Sequence, residues 1–298
     1  MPGSKTKTTI VRNHKANELL QAPTLSPLPK SGGRDLSTDQ PTRRPGRAVI
    51  DSAAKALKEG QTHYVDVPGI APLRERLAMY LKGMGLTDYE QANILVTAGM
   101  QESRFLAIQM IGEAYGSLAL PEVVHPGAQK AAGVRHIDVS LLPVDKETGM
   151  LPTLAGLRQA LESGCSLLYL ESPVRLSGAV FDAAAIAEIA ALIEEFDAAV
   201  IWDQGLAPWV QHGQYASLAA QPGMLKHVAV LGEAWPGTGL ESWYVGYVVA
   251  NADWYESIRS QKQIISICTS TPSQFAALEA AEWYASTHNE QLGDLTQA

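Results

Sequence analysis

The residues that could do chemistry stand at the ends of short apolar runs. SLLYLESP (166–173) delivers Glu171, AAVIWD (198–203) delivers Asp203, and HVAVLGE (227–233) delivers Glu233. Runs of this kind, alternating with helical patterns, read as buried strands of a mostly parallel sheet covered on both faces. Ligands in such sheets bind outside the carboxyl ends of the strands. Five strand ends therefore frame a candidate site: Gly99–Gln101, Pro121–His125, Glu171–Arg175, Asp203–Leu206 and Glu233–Pro236. A buried carboxylate at Asp203 needs a cation. Arg175, from the neighbouring strand end, is the expected partner, in a purely structural pair or as a bidentate clamp for a substrate carboxylate. Glu233 in a cleft is a candidate acid or base of raised pKa. Glu171 reads as a solvated loop charge. His125 is a general base, a stacking platform or a structural histidine. Trp235 and Tyr244 offer an apolar wall with a hydroxyl handle, or core packing. Cys165 and Cys268 have no base nearby in sequence and read as core residues.

Several chemistries are disfavoured by what is missing. GTGLES (237–242) half-resembles GxGxxG but precedes a strand, so a dinucleotide site is not expected. The chain has no GxxxxGK[ST], GxSxG, HExxH or CxxC. Two cysteines make neither a disulfide framework nor a four-cysteine zinc site. Asp145–Gly149 lacks the alternating oxygens of a calcium loop and reads as a turn. The histidines are scattered, and no metal is expected.

The elements that must position these residues follow from the pattern. Helices are expected over 48–59, 71–83, 101–112, 128–133, 153–163, 182–196, 253–265 and 272–291. Strands are expected over 94–99, 117–121, 136–142, 166–173, 198–203, 227–233 and 243–250. With 46% hydrophobic and 18% charged residues in 298, this is a globular, three-layer α/β/α chain with a sizeable core. No apolar run is long enough to span a membrane, and the N-terminus lacks a secretory apolar block, so a cytoplasmic protein is expected. The net charge of −8 is uneven. Residues 1–47 carry nine Lys/Arg against three Asp/Glu, and residues 48–298 carry 14 against 28. The basic arm has no aromatic side chain for stacking on bases, and the acidic body repels phosphate backbones, so no nucleic-acid partner is expected.

Six segments in order carry a resemblance. They are HYVDVPGIAPLRERLAMYL (63–81), VTAGMQES (96–103), LPEVVHPG (120–127), ESPVRLSGAVF (171–181), VIWDQG (200–205) and VAVLGEAWPGTGLESWYVGYVVA (228–250). Together, and with the tail STPSQFAALEAA (270–281), they resemble the large domain of class I/II aminotransferases, the fold-type I pyridoxal phosphate (PLP) enzymes. The resemblance implies that Gly99, Met100 and Gln101 form the phosphate-cradle turn. It puts His125 at the ring-stacking position and Asp203 against the pyridine nitrogen. It has Tyr64 reach the site of a second subunit, which implies a homodimer.

At other positions the chain departs from the family. Counting back from Gly246–Tyr247, Pro236 falls at the Schiff-base lysine and Tyr244 at the phosphate arginine. Glu233 falls at a phosphate-binding serine, Arg175 at the asparagine on the ring oxygen, and Leu206 at a tyrosine. A carboxylate about 4 Å from a phosphate costs on the order of 4 kcal/mol at an effective dielectric near 20, and a lost charge-assisted hydrogen bond about 1.5–3 kcal/mol more. The expectation from these residues is that no cofactor is used, with weak PLP or pyridoxamine phosphate (PMP) as the alternative. The family's C-terminal small domain is expected to be absent, leaving a basic arm (1–47) and a large domain (48–298). The function expected is a PLP-independent enzyme doing acid–base chemistry on a small amino-acid-derived or carboxylate substrate: cyclisation, isomerisation, elimination or condensation. His125, Asp203 and Glu233 would move protons, and Arg175, Tyr64, Gln101, Trp235 and Tyr244 would bind substrate. A non-catalytic sensor or partner subunit is the competing reading.

Overall fold

A computed structural model describes residues 44–210 and 214–296, with side chains to residue 285. Most of the basic arm lies outside the described residues. In chain order the elements are α1 (Arg47–Lys58), α2 (Ala71–Gly83), β1 (Ile94–Ala98), α3 (Gly99–Tyr115), β2 (Ser117–Pro121), α4 (Pro126–Val134) and β3 (Asp138–Leu142). They continue with β4 (Val144–Asp145), β5 (Leu151–Pro152), α5 (Leu154–Glu162), β6 (Leu167–Glu171), α6 (Ala183–Phe196), β7 (Ala199–Asp203) and β8 (Val228–Glu233). The chain closes with β9 (Val245–Val249), α7 (Ala252–Ile265) and α8 (Thr271–Thr296).

The helices start where the sequence supplies caps. Thr153, Asp182 and Asn251 each accept a backbone N–H from the first turn that follows. Pro126 sits in the first turn of α4, where its missing N–H costs nothing. Two boundary differences bear on the site. The first strand stops at Ala98 because Gly99 (φ 76°) opens α3, so the expected turn at 99–101 is the first turn of a helix that runs on to a left-handed Gly116. The last strand starts only at Val245, since Tyr244 is itself left-handed (φ 51°). The hairpin β4–β5 around the Asp145–Gly149 turn was not expected, because two-residue strands leave no alternation to read.

One sheet holds seven strands in the order β1-β9-β8-β7-β6-β2-β3. All neighbours are parallel except β9, which runs antiparallel to both β1 and β8. The three-layer, mostly parallel α/β arrangement expected from sequence is the observed one. Each face of the sheet has its own apolar core. Leu170, Trp202 and Val230 pack into one, and Tyr169, Ile201 and Leu231 into the other, beneath Leu106, Ile108 and Ile111 of α3.

The antiparallel β9 brings its first residues to the edge where the parallel strands end. Gly246 pairs with Glu233 on one side and Thr97 on the other. A Cβ on Gly246 would lie 2.8 Å from the Gly99 carbonyl carbon and 3.1 Å from the Gly232 carbonyl oxygen. Both are backbone atoms that cannot rotate away. Gly246→Ala is therefore expected to lose about 1–3 kcal/mol by overpacking, measured by urea denaturation; wild-type stability in this variant would refute the close approach.

Candidate functional site

Strand alternation decides which way the strand-end acids point. Tyr169, Ile201 and Leu231 face α3, so Glu171, Asp203 and Glu233, each two residues further on, face it as well. Register sets Glu171 opposite Asp203 and Asp203 opposite Leu231, so Glu233 stands two residues further out along β8. Three carboxyl groups from three neighbouring parallel strands thus gather on one face at one edge.

Asp203 is 4% exposed and fully engaged. Its Oδ2 accepts from Arg104 Nε at 2.8 Å and from the Tyr169 hydroxyl at 2.5 Å, and its Oδ1 accepts from the Gly205 N–H at 3.0 Å. Arg104 comes from the buried face of α3. Burial works against its charge, but Asp203 and Tyr169 outweigh that, and its pKa is raised. The sequence reading gave Asp203 a partner in Arg175; its buried cation is Arg104, a residue that reading missed. Arg175 is exposed, and its charge bears on Glu233 and His125.

The flanking acids behave differently from Asp203. Burial pushes the Glu171 carboxyl up to about 7, with the Asp203 charge adding to it. Glu171 is 5% exposed, and its Oε1 accepts from the His125 N–H at 2.8 Å. That corrects its reading as a solvated loop charge: a second loop covers it. Glu233 is also pushed up to about 7, first by burial and then by Glu241. At neutral pH each of these acids is about half protonated.

His125 caps α4, with Nδ1 accepting from the Gly127 N–H at 2.9 Å. Burial, with Arg104 and Arg175, lowers its pKa to about 4. The imidazole is neutral at physiological pH with its Nδ1 lone pair in use, which leaves Nε2–H as a donor and counts against the expected base. Gln101 Nε2 donates to the Gly127 carbonyl at 3.4 Å and ties α3 to the same loop. Met100 borders Gly205, while Leu206 is half-buried just beyond. Tyr244 is 62% exposed and lies over Gly99, whose missing Cβ would come 3.2 Å from the Tyr244 Cβ.

Two expected substrate contacts lie elsewhere. Trp235 is 3% exposed and stacks edge-on against Tyr80 at 5.1 Å, with Tyr284 at 5.8 Å. It belongs to the core on the opposite face of the sheet, not to a cleft wall. Tyr64, 67% exposed, lines a separate surface hollow of about 270 Å³ with Cys268 and Thr269–Thr271. Pro236 is buried in the β8–β9 loop, and residues 227–261 contain no lysine. Among the described residues no group of His, Cys, Asp and Glu could hold a metal ion, and no helix is long and apolar enough to cross a membrane.

Comparison with known proteins sets this geometry in a family. The chain is 27% identical over 250 residues to the (5-formylfuran-3-yl)methyl phosphate transaminase of Methanocaldococcus jannaschii, covering 83% of this chain and 64% of that protein. It is 26% identical over 219 residues to the aspartate aminotransferase of Pyrococcus horikoshii, covering 72% and 55%. The chain spans about three fifths of the length of these curated relatives. In fold it superposes on the aromatic aminotransferase of P. horikoshii with a TM-score of 0.79 at 20% identity, covering 87% of this chain and 71% of that one.

These relatives overturn the expectation that no cofactor is used, since theirs is the family that works with PLP. The residues fit PLP or PMP held by contacts alone. The first turn of α3 has no capping side chain from Ala98, and its backbone N–H groups, next to Gly99 with Tyr244 over it and Glu102 accepting from the Ala98 N–H, form the kind of helix start that receives a phosphate. Asp203 stands buried at a strand end, and Glu233 is neutral for half of the time at pH 7. They do not fit a covalent anchor, because the β8–β9 loop has no amine to offer. The sequence pattern described as aminotransferase class I and II matches residues 34–294, and the chain belongs to that family.

Proposed function

We propose that this protein holds PLP or PMP non-covalently and moves protons on a small amino-acid-derived or carboxylate-bearing substrate. The observation that carries this reading is the row of three strand-end carboxyls, two of them poised near 7, around a buried Arg104–Asp203 pair. Pro236 stands at the family's lysine position. When bound, PLP supplies an electron sink for a developing carbanion.

The protein's own residues have distinct tasks in this reading. The N-terminus of α3 binds the phosphate through its backbone N–H groups and dipole. Asp203, already ion-paired, orients the ring. Protonated Glu233 presents an O–H to an oxygen atom where an ionised one would repel it. A carboxyl near 7 can both give and take a proton at neutral pH, so Glu233 and Glu171 are the acid–base pair. Arg175, exposed at the mouth, receives the substrate carboxylate through its planar fork. His125 donates through Nε2–H. Tyr64 serves the site of a second subunit in a cytoplasmic homodimer, with no nucleic acid or membrane as partner.

The test is addition of PMP and PLP followed by desalting. A retained absorbance band and a raised melting temperature are expected, both lost in Asp203→Ala. A colourless wild-type protein with unchanged melting temperature would sink the reading. Glu233→Gln is expected to keep the bound cofactor but lower turnover of a true substrate by about 10²–10⁴-fold, the usual range for a lost acid or base.

A further inference from the structure

We infer that the face of the sheet turned away from the acids holds an ordered water molecule that bridges Ser172 and Gln204 and pegs the end of β6 to the end of β7. No cofactor and no ionised side chain takes part in this site.

Strand alternation puts it there. Ser172 and Gln204 stand one residue past Glu171 and Asp203, so they point to the opposite side, that of Trp202 and Tyr247. The register of the two acids brings Ser172 and Gln204 next to each other, and the Ser172 N–H donates to the Asp203 carbonyl at 3.0 Å. Both residues are buried, at 0% and 2% exposure. Ser172 Oγ and Gln204 Nε2 nevertheless have no hydrogen-bond partner among the described residues. Six buried side-chain atoms there share that condition, and a third of them, Trp235 Nε1, belongs to the same side of the same edge. Buried polar groups are almost always paired, so this concentration marks a place where the protein supplies only part of a network.

The neighbours of Gln204 fix which end of its amide is the donor. The Tyr215 hydroxyl accepts from Trp202 Nε1 at 3.1 Å, so its own hydrogen goes to Gln204 Oε1 at 3.3 Å. The Ser217 hydroxyl donates to the same oxygen at 3.1 Å. The other end is therefore the NH2 group, which carries two hydrogens. Tyr247, whose hydroxyl lies close by, can meet one of them and still leaves the other.

These groups select the ligand. An N–H donor repels a metal or ammonium ion. An anion would be buried without a counter-charge, because Arg104, Glu171 and Asp203, the buried charged residues of this edge, all lie on the α3 side. A neutral molecule that both accepts and donates is what remains. Water accepts from Gln204 and exchanges one bond with the Ser172 hydroxyl in either direction, which meets the two polar partners a buried water requires. The short Ser172 side chain leaves the space. The next position along the row, Gly232, leaves none, since a Cβ there would collide with the Tyr247 ring.

The test is a crystal structure of the full chain that shows ordered water, with a bromide soak beside it. A water peak is expected within about 3.2 Å of both Gln204 Nε2 and Ser172 Oγ. The lack of a peak there overturns the inference, and anomalous bromide density in its place overturns it in favour of an anion. Ser172→Ala, which removes one oxygen and little packing, gives an independent sign in solution. A hydroxyl bonded to water stabilises the fold, so its loss should lower the urea midpoint by about 0.3–0.5 M. A buried hydroxyl with no partner at all destabilises the fold, and a midpoint that rises in Ser172→Ala would refute the bridge.

Discussion

Arg104→Leu is expected to destabilise the fold by about 3–5 kcal/mol, because it leaves the Asp203 carboxylate buried and without its cation. The pair lies under α3 with both side chains at 7% exposure or less. Asp203→Leu is expected to do similar damage from the other side. The double variant Arg104→Leu/Asp203→Leu should recover most of the loss, since two apolar groups need no solvation. Urea denaturation of the four proteins closes the cycle. Additive losses in the double variant would show that the two side chains act independently and that the ion pair is not the source of the effect. Tyr169→Phe should cost less, about 1.5–3 kcal/mol, because it removes the hydroxyl that donates to Asp203 and accepts from Arg104 but leaves the ion pair in place.

The second large effect is a pH dependence that runs opposite to the usual one for carboxylates. Glu171 and Glu233 rise from 4.5 to about 7 on folding. The native state therefore binds more protons than the unfolded chain between those values, and stability falls as pH rises through them. Each group contributes fully below about pH 4.5 and has lost its contribution, on the order of 3 kcal/mol, above pH 7. His125 works in the other direction: its folded pKa is depressed to about 4, so its contribution is present above about 6.5 and is lost as pH falls. Glu233→Gln removes one of the opposed terms. Its stability relative to wild type is expected to climb between about pH 4.5 and 7 and then level off. A difference that stays flat across this range would mean that folding leaves the Glu233 carboxyl at its ordinary value.

The strand-end rule found much of this site because it depends on local pattern. Apolar runs ending in Glu171, Asp203 and Glu233 are visible in the sequence, and burial of a run says that its end meets the sheet edge. Arg104 was missed because its meaning is non-local. It stands in SRFLAIQMIG, an apolar helix face on which a lone arginine is anomalous, and only the packing of α3 over β6 and β7 shows the carboxylate beneath it. That anomaly was the available signal. Glu171 was misread for a related reason: the residues after it look like a solvated loop, while the group that covers it, His125, arrives from another strand end. Trp235 was misplaced because its partners, Tyr80 and Tyr284, belong to helices far away in the chain. Strand direction left no trace in the pattern, so the reversal of β9 could not be read before the hydrogen bonds were seen.

That reversal also sets a timetable. Among the described strands β1 has a single neighbour, β9, and the first turn of α3 is held by Tyr244, Gly246 and Lys262. A chain leaving the ribosome makes β1 and α3 early, yet every one of these supports is translated after residue 243. The central strands β6, β7 and β8 can pair as they emerge, whereas β1 must remain unpaired until β9 closes a loop spanning about half of the chain, a slow, high-contact-order step. The phosphate-receiving turn is thus among the first parts of the protein to be synthesised and among the last to be built. A nascent chain stalled before β9 would carry its three acids already on one face of β6, β7 and β8, with β1 and the first turn of α3 not yet fixed beside them.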